Sequence, residues 1–378
     1  MNIKRAISVE FDLKVRPGKV LILLGARRVG KTFFLKEYIK NFDLDEMLMV
    51  NGEDQKTIDA FSEMSGTRFK QIIGRKKYLI IDEAQNIPDI GKKLKLFVDE
   101  LPHVCVVATG SSMFELHHQL GEPLVGRSHI MYMYPLSQME FSIHEDYLTT
   151  TSNLEERMIY GSYPELLNCI GFDEKVDYLE NIVNSYLLRD ILAYDGIKKA
   201  NKIMDLLRLI AFQVGKEVSI DELANNLKSI SRNTVESYLD LLSKVFVIYP
   251  VRGFSRNLRK EISKSNRWFF YDNGIRNAII RNYNFLKSRN DIGQLWENYL
   301  MVERLKYNSY TKNRVNSYFW RTYDQQEIDL IEEKAEDLAA YEFKWTKKKT
   351  KMPGAWSNNY PESTYKCINT DNYLDFIT

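Results

Sequence analysis

The first part of the chain alternates between short apolar runs and longer amphipathic segments. The apolar runs lie at Val20–Leu24, Met47–Asn51, Tyr78–Ile81, Val104–Thr109 and His129–Tyr134. Because strands that are apolar throughout are typical of a parallel sheet covered by helices on both faces, the pattern predicts an α/β domain. We place this domain at residues 1–145, with Pro135 ending the last strand.

A helical pattern replaces the strands after residue 145. Tyr178, Ile182 and Tyr186 recur every four residues, and no strand pattern interrupts residues 146–210. This spacing places the apolar side chains on one broad face of a helix. We therefore expect residues 146–210 to form a helical lid or linker.

A different order of elements follows in residues 211–285. Ser219 and Glu222 have the spacing of a capping box at the start of a helix. A second helix is predicted up to Leu242, and a strand is predicted at Val245–Ile248. Two helices that are joined by a short turn and followed by a strand resemble a winged helix-turn-helix.

The basic residues of this segment leave two interpretations open. Arg232 belongs to the second predicted helix, and a positively charged wing would carry Arg252, Arg256, Arg259, Lys260, Lys264 and Arg267. Positive charge at these places suits DNA phosphates, and the expected contacts are Arg232, Arg256, Arg259 and Lys260. The alternative is a packing module between domains, since the second helix is only mildly basic.

The last predicted unit covers residues 286–378 and combines a helix with several strands. The helix is Leu295–Leu305, and strands are predicted at Ser317–Arg321, Glu327–Ile331 and Ala340–Trp345. Alternating polar and apolar positions in the last two strands are typical of a sheet with one buried face. We expect a small α/β domain here.

A glycine-rich loop joins the first predicted strand to the first long helix. Residues Gly25–Thr32 read GARRVGKT, the pattern of a phosphate-binding P-loop in its required strand–loop–helix context. Backbone N–H groups of such a loop point at phosphate oxygens, and the helix start favours negative charge. The predicted nucleotide contacts are Gly25, Arg28, Gly30, Lys31, Thr32 and Phe33, with Lys31 at the β- and γ-phosphates and Thr32 on Mg²⁺.

Two carboxylates end the third predicted strand. Asp82 and Glu83 follow the apolar run Tyr78–Ile81, and ligands of parallel sheets bind at the carboxyl ends of the strands. We therefore expect Asp82 to hold Mg²⁺ beside the P-loop and Glu83 to activate the water that attacks the γ-phosphate. The alternative for Glu83 is a cap on the helix that begins at Ala84.

A second group of candidate residues lies near the carboxyl terminus. Asp329, Glu342 and Lys344 form the D…E-x-K arrangement of PD-(D/E)xK nucleases. Side chains two positions apart on a strand share a face, so Glu342 and Lys344 point the same way and Asp329 can face them across a hairpin. With Glu297 from the preceding helix, these carboxylates predict an Mg²⁺ site that would activate water, while Lys344 would position the water or stabilise developing charge. Whether such a site cuts a phosphodiester stays open, since fold does not imply function.

Composition limits the classes of protein without selecting one. The 378 residues are 44% hydrophobic with a formal net charge of +2, so several domains are expected and no overall field drives binding to nucleic acid or membrane. The 3 cysteines and 5 histidines lack metal-ligand spacing, and an odd number of separated cysteines fits a reducing compartment. No apolar run reaches the length of a membrane span, so we expect a cytoplasmic protein without membrane contact.

Together, these motifs resemble the prokaryotic family of AAA+ P-loop ATPases with a C-terminal winged-helix and PD-(D/E)xK nuclease-like domain. The resemblance covers nearly the whole chain and rests on Gly25–Thr32, Ile81–Pro88, Thr109–Ser112, Gly126–Arg127, Tyr134–Ser137, Glu140–Phe141, Gly161–Glu165, Arg189–Ile191, Tyr271–Gly274, Trp296–Asn298 and Glu327–Asp329. It implies an α/β fold: a P-loop NTPase (AAA+) parallel sheet, then a helical and winged-helix region, then a small α/β nuclease-like domain.

The resemblance also implies roles for residues outside the P-loop. The strand ending at Thr109 would lie between the P-loop strand and the Asp82 strand, so Thr109 or Ser111 would act as a sensor near the γ-phosphate. Arg127 matches a Gly-Arg pair of the family and would complete the catalytic site, either in its own chain or from a neighbouring copy. A structural salt bridge is the alternative for Arg127.

Three functions are open at this point. The first is a hydrolase that uses ATP and Mg²⁺ and couples its nucleotide state to a DNA-binding, nuclease-like half. The second is a nucleotide-dependent switch whose nuclease-like domain is inactive and serves binding. The third is a scaffold without hydrolysis, against which the intact set Lys31, Thr32, Asp82 and Glu83 argues. Double-stranded DNA and a second copy of the chain are the candidate partners.

Overall fold

A computed structural model describes residues 3–111, 124–187, 200–228, 230–255, 266–347 and 350–378. The chain divides into two compact units. The amino-terminal unit comprises Lys4–Pro135 with Lys244–Phe246, and the carboxy-terminal unit comprises residues 1–3, Leu136–Ser243 and Val247–Thr378. Within the described parts of the chain, no helix is long and apolar enough to cross a bilayer.

The amino-terminal unit is a parallel sheet with helices between its strands. The strands are β1 (Val20–Leu24), β2 (Met47–Asn51), β3 (Tyr78–Asp82), β4 (Cys105–Gly110) and β5 (Ser128–Tyr132). The helices are α1 (Ser8–Lys14), α2 (Lys31–Ile39), α3 (Gln55–Ala60), α4 (Gly66–Ile73) and α5 (Ile90–Glu100). Apolar side chains of β1, β3 and β4 are buried, as expected for a sheet covered on both faces.

The strand order of this sheet is β2-β3-β4-β1-β5, and each neighbouring pair is parallel. The five predicted strands and the α/β fold class are confirmed, with shifts of one or two residues at the ends. The implied position of β4 between β1 and β3 is confirmed as well. This order brings the carboxyl ends of the three central strands to one edge.

Helices form the first half of the carboxy-terminal unit. They are α6 (Gln138–Phe141), α7 (Tyr147–Tyr160), α8 (Gly171–Asn181), α9 (Ala200–Phe212), α10 (Ile220–Leu227) and α11 (Arg232–Lys244). A π-helical turn, Ile182–Leu187, continues α8. No strand lies in the described part of residues 146–210, as the pattern predicts. Ser219 caps α10 by accepting the Glu222 N–H at 3.4 Å.

Strands and further helices complete this unit. The strands are β6 (Glu217–Val218), β7 (Ile248–Gly253), β8 (Asn266–Phe270), β9 (Asn316–Arg321), β10 (Glu327–Lys334), β11 (Asp337–Phe343) and β12 (Thr364–Ile368). The helices are α12 (Asn273–Ile280), α13 (Ile292–Tyr310), α14 (Gly354–Asn359) and α15 (Leu374–Ile377). Together the strands form one sheet in the order β12-β11-β10-β9-β7-β8-β6.

Two features of this unit differ from the sequence predictions. The strand predicted at Val245–Ile248 begins only at Ile248, because Phe246 has a left-handed backbone with φ 60° that interrupts an extended chain. The domains predicted at 211–285 and 286–378 share one sheet, since β7 pairs in parallel with β9. Apart from Lys244–Phe246, they belong to a single compact unit together with residues 146–210.

A buried polar junction joins two of the motifs on which the family resemblance rests, Gly161–Glu165 and Tyr271–Gly274. The Asp272 carboxylate accepts the backbone N–H groups of Ser162, Gly274 and Ile275 at 2.8–3.2 Å. Burial raises the pKa of Asp272 to about 6. Gly161 lies against this carboxylate, so the segments around residues 161 and 272 pack together in the interior of the unit.

Gly161 and Gly171 form a matched pair for testing this junction. Both have left-handed backbones, with φ 79° and 78°. A Cβ atom at Gly161 would lie 1.9 Å from Asp272 Oδ1, whereas a Cβ at Gly171 meets nothing within 4 Å. We expect Gly161→Ala to lower the free energy of unfolding by about 2–4 kcal/mol, and Gly171→Ala by about 1 kcal/mol, in urea titrations. Equal losses would contradict the tight contact.

Candidate functional site

The P-loop has the conformation that its glycines predict. Gly25 follows β1, and a Cβ atom there would lie 2.1 Å from the Met133 carbonyl oxygen. Gly30 has φ 98° and directly precedes α2, which begins at Lys31. Both positions exclude larger residues, one by crowding and the other by its left-handed backbone. The strand, loop and helix start are thus arranged as in a phosphate-binding loop.

Two side chains at the start of α2 face this loop and the neighbouring strand. Lys31 is only 4% exposed, and its Nζ donates to the carbonyl oxygens of Gly25 at 2.8 Å and Ala26 at 3.0 Å. Thr32 Oγ1 donates to Asp82 Oδ2 at 2.6 Å. The predicted phosphate ligand therefore lies within the loop, and the two predicted Mg²⁺ ligands, Thr32 and Asp82, are in direct contact.

Thr109 connects both carboxylate residues at the end of β3. Its hydroxyl donates to Asp82 Oδ1 at 2.5 Å and accepts the backbone N–H of Glu83 at 3.0 Å. A single threonine at the end of β4 thus fixes the Asp82 side chain and the Glu83 backbone. This arrangement agrees with the position that the family resemblance implies for Thr109.

Glu83 has a side-chain partner that the sequence did not reveal. Gln85 Nε2 donates to Glu83 Oε2 at 2.5 Å and lies 3.3 Å from Ser111 Oγ. Glu83 itself has φ 48° and makes no side-chain cap to the short helical turn Ala84–Asn86. The alternative in which Glu83 acts as a helix cap is therefore not supported, and its carboxylate is held beside the end of β4.

Two of the predicted nucleotide contacts lie on the outside of the loop. Arg28 is exposed with φ 67°, and Phe33 is 54% exposed on the first turn of α2. Their contact with a nucleotide stays a prediction.

Arg127 is placed away from this site within its own unit. It directly precedes β5, and its carbonyl oxygen accepts the N–H of Val20, the first residue of β1. The P-loop follows the other end of β1, so Arg127 lies at the amino edge of the sheet. Its Nε donates to Asp99 Oδ1 at 2.8 Å. The prediction that Arg127 completes the site of its own chain is therefore wrong, and the salt-bridge alternative fits.

Arg5 is a further residue that sequence reasoning missed. Its buried guanidinium donates from Nη1 to the Val29 carbonyl at 2.8 Å and from Nη2 to the Tyr134 carbonyl at 2.6 Å. Val29 is part of the P-loop, and Tyr134 follows β5. Arg5 therefore fixes the loop to the sheet, although no motif marks it.

The second candidate site lies in the carboxy-terminal unit around Arg267. Asp329 Oδ2 accepts the Phe343 N–H at 2.8 Å, and Lys344 Nζ donates to Glu342 Oε1 at 2.6 Å. Arg267 Nη1 lies 3.6 Å from Glu297 Oε1 and 3.7 Å from Asp329 Oδ1. The predicted residues therefore meet in one region, but an arginine lies among them. Arg267 was predicted in a basic wing suited to phosphate contact and is instead 3% exposed.

This carboxylate cluster does not have the arrangement of the predicted metal centre. Among the residues that the structure describes, no three His, Cys, Asp or Glu side chains are grouped so that they could hold one ion. The prediction that Glu297, Asp329 and Glu342 jointly ligate Mg²⁺ thus disagrees with the geometry. The physical reason is that the guanidinium of Arg267 lies within ion-pair distance of Glu297 and Asp329.

Burial and mutual repulsion shift the pKa values in this cluster. Burial raises the pKa of Glu297 well above its ordinary range, and the Asp329 charge raises it further. Burial and the neighbouring Glu342 charge raise the pKa of Asp329 to about 7. Burial would lower the pKa of Lys344, but its hydrogen bond to Glu342 raises that pKa above the usual value. The carboxylates of Glu297 and Asp329 therefore hold protons more readily than exposed ones.

Comparison with protein families assigns a class to the amino-terminal unit. Residues 17–142 match the family model described as an AAA domain. With the P-loop geometry given above, this match supports a P-loop, AAA-like ATPase domain in this unit. Residues 151–285 and 292–361 match two families, each described as a domain of unknown function (DUF8612 and DUF4143).

Most of the chain is also similar to uncharacterized proteins of other organisms. One, from Methanocaldococcus jannaschii, is 25% identical over 344 residues, which cover 86% of this chain and 75% of that protein. Another, from Haemophilus influenzae, is 27% identical over 339 residues, covering 84% of this chain and 80% of that protein. A solved Walker-type ATPase of Pyrococcus abyssi aligns with a TM-score of 0.49 and 16% identity, over 73% of this chain and 94% of that one.

The contact between Arg5 and the P-loop can be tested by nucleotide affinity. Replacing Arg5 by Met removes the charged hydrogen bonds to the Val29 and Tyr134 carbonyls and leaves both acceptors buried. We expect ATP to bind about tenfold more weakly, corresponding to ~1.4 kcal/mol, in titrations with a fluorescent ATP analogue.

The matched control is Arg16→Met, because Arg16 is exposed and contacts His129 next to β1. Its affinity for the analogue should equal that of the unmodified chain. Unfolding curves recorded on both variants separate a local change of the loop from loss of the fold. An unchanged affinity in a folded Arg5→Met protein would contradict the positioning role.

Proposed function

We propose that this protein binds and hydrolyses ATP at the P-loop of its amino-terminal unit. The observation that carries the proposal is the hydrogen-bonded chain from Thr32 through Asp82 and Thr109 to Glu83. It brings a P-loop hydroxyl, a carboxylate and a candidate base to the same edge of the sheet, next to Lys31. A loop that only stored nucleotide would not need the second carboxylate.

Each side chain has a definite task in this proposal. Lys31, now bonded to loop carbonyls, is placed to exchange them for β- and γ-phosphate oxygens. Thr32 and Asp82 are the residues that would hold Mg²⁺, since their oxygens already converge to 2.6 Å. When bound, Mg²⁺ would neutralise negative charge on the phosphates. Glu83 would accept a proton from the attacking water, with Gln85 fixing its carboxylate.

The Glu83→Gln variant separates ATP binding from hydrolysis. The amide keeps the size of the side chain but cannot accept the proton, so we expect at least a ~100-fold lower kcat with ATP affinity within about twofold. Phosphate release and binding of a fluorescent ATP analogue measure the two quantities. Glu37→Gln, on α2 and paired with Lys40, is the matched control and should leave both unchanged. Equal phosphate release by the Glu83→Gln and unmodified proteins would reject the assigned base.

Nucleic-acid binding by the carboxy-terminal unit is the second part of the proposal. The element order α9, β6, α10, α11, β7, β8, with β6 and β7 both paired to β8, supports a winged helix-turn-helix there. Arg232 at the start of α11 pairs with Asp221 at 3.0 Å and with Glu236 at 3.1 Å. These partners reduce its availability for phosphate. The other predicted contacts are Arg256, Arg259 and Lys260, which lie outside the described residues. In this proposal they make the main contacts with DNA phosphates.

Binding to duplex DNA should depend steeply on salt concentration. Each lost phosphate contact lowers the slope of log K against log salt by about 0.9, so the triple change Arg256→Gln, Arg259→Gln and Lys260→Gln should lower it by about 2–3. The charge-matched control changes the exposed Lys36, Lys40 and Lys56 to Gln. Fluorescence anisotropy with and without ATP measures both. No duplex binding at low salt would favour the packing-module interpretation instead.

The geometry around Arg267 favours nucleic-acid binding without cleavage. The nuclease-like carboxylates have basic or backbone partners, so we propose a nucleotide-dependent protein whose carboxy-terminal unit serves binding.

Since Arg127 lies away from the P-loop of its own unit, a catalytic role for Arg127 would require a second copy of the chain. That arrangement predicts that ATPase activity per chain rises with protein concentration.

A further inference from the structure

Arg267, the second residue of β8, has an unusual environment for a residue of a hairpin strand. It is 3% exposed, and its guanidinium lies 4.5 Å from the ring centre of Phe319. Nη2 contacts Glu327 Oε2 at 2.9 Å, while Nη1 lies near Glu297 and Asp329. One buried arginine thus contacts three carboxylates.

The carboxylates around Arg267 come from separate elements that fold around it. Glu297 lies on α13, and Glu327 and Asp329 lie on β10. Gly215, in the turn before β6, leaves room for Glu297, because a Cβ atom there would lie 2.7 Å from Glu297 Oε2. The arrangement is therefore closely packed on the side of Glu297, and it includes parts of both predicted carboxy-terminal domains.

We infer that Arg267 takes the place of the divalent cation in this nuclease-like carboxylate site. A hard cation such as Mg²⁺ needs carboxylate oxygens at about 2.1 Å and would lie close to a buried guanidinium of like charge. Two further oxygens have partners: Phe343 N–H donates to Asp329 Oδ2, and Lys344 donates to Glu342 Oε1. The site is held by resident basic groups and does not support metal-dependent cleavage.

Two buried carboxylate oxygens are the places where a cation would bind in spite of Arg267, so the test must examine them. Glu297 Oε1 and Glu342 Oε2 are buried and have no hydrogen-bond partner among the described residues. A cation that bound in spite of Arg267 would use these oxygens together with Asp329. A decisive experiment must therefore measure metal binding directly and trace it to Asp329.

The experiment is a titration of the full chain with Mn²⁺, followed by electron paramagnetic resonance of free Mn²⁺. All proteins carry Asp82→Asn, so that the P-loop site does not contribute. We expect no Mn²⁺ site that depends on Asp329 up to about 1 mM free metal, in the range of weak oxygen-ligand sites. One Mn²⁺ per chain that binds more tightly than this and is lost on Asp329→Asn would overturn the inference.

Substitution of Arg267 tests whether removing its charge creates a metal site. Arg267→Met removes the charge but keeps a long side chain, and it should create a Mn²⁺ site at least tenfold tighter than that of the parent. Adding Asp329→Asn should remove the new site, and Arg267→Lys should not create one. A folded Arg267→Met protein without Mn²⁺ binding would show that the arginine does not exclude the metal.

If Arg267→Met does not fold, the parent titration still decides the question. Cleavage assays provide a second measurement on the unmodified chain, with plasmid DNA and single-stranded RNA in Mg²⁺ or Mn²⁺. We expect cleavage no greater than that of Asp329→Asn and Glu342→Gln proteins. Cleavage that both substitutions abolish would overturn the inference, whatever the ATPase activity of the chain.

Discussion

The parallel pairing of β1, β4 and β3 is the constraint on which the nucleotide site depends. In this register Leu23 lies beside Thr109 and Ile81 lies beside Ala108, so the P-loop, Thr109 and Asp82 leave the sheet at the same edge. A shift of one residue would turn the Thr109 side chain to the opposite face of the sheet. The hydroxyl of Thr109 could then no longer bridge the Asp82 carboxylate and the Glu83 backbone. The geometry of the site is therefore a consequence of backbone hydrogen bonding over three strands.

The amino-terminal unit was predictable because its signals are local. Buried parallel strands are continuous apolar runs, and the P-loop pattern spans only Gly25–Thr32. The prediction for Arg127 was wrong because closeness to a strand in the sequence does not reveal at which end of the strands the residue lies. Arg5 and Gln85 were missed for a related reason: each acts through contacts that depend on the folded chain, such as the 129-residue separation between Arg5 and Tyr134.

The carboxy-terminal unit was less predictable because its decisive contacts are distant in sequence. The pairing of Arg252 with Tyr318 joins two predicted domains into one sheet, and no local pattern announces it. Arg267 belonged to a run of basic residues in the sequence, and such runs are usually solvated. Its burial follows from the position of β8 in the sheet and from carboxylates on α13 and β10. Similarly, the motif that contains Asp272 binds backbone N–H groups in the interior.

These contacts show why a D…E-x-K pattern does not by itself identify a nuclease. Buried carboxylates are expensive unless charges and hydrogen bonds compensate for their lost hydration, and a guanidinium can supply this as well as a metal ion can. A site neutralised by a metal ion and a site neutralised by an arginine both require Asp329, Glu342 and Lys344 at this spacing along the paired strands. The sequence spacing reveals the two strands and the face that their side chains share. It does not reveal the positive group that neutralises this face, which is Arg267, 62 positions before Asp329. Chemistry at such a site therefore depends on the group at its centre, which only the folded chain reveals.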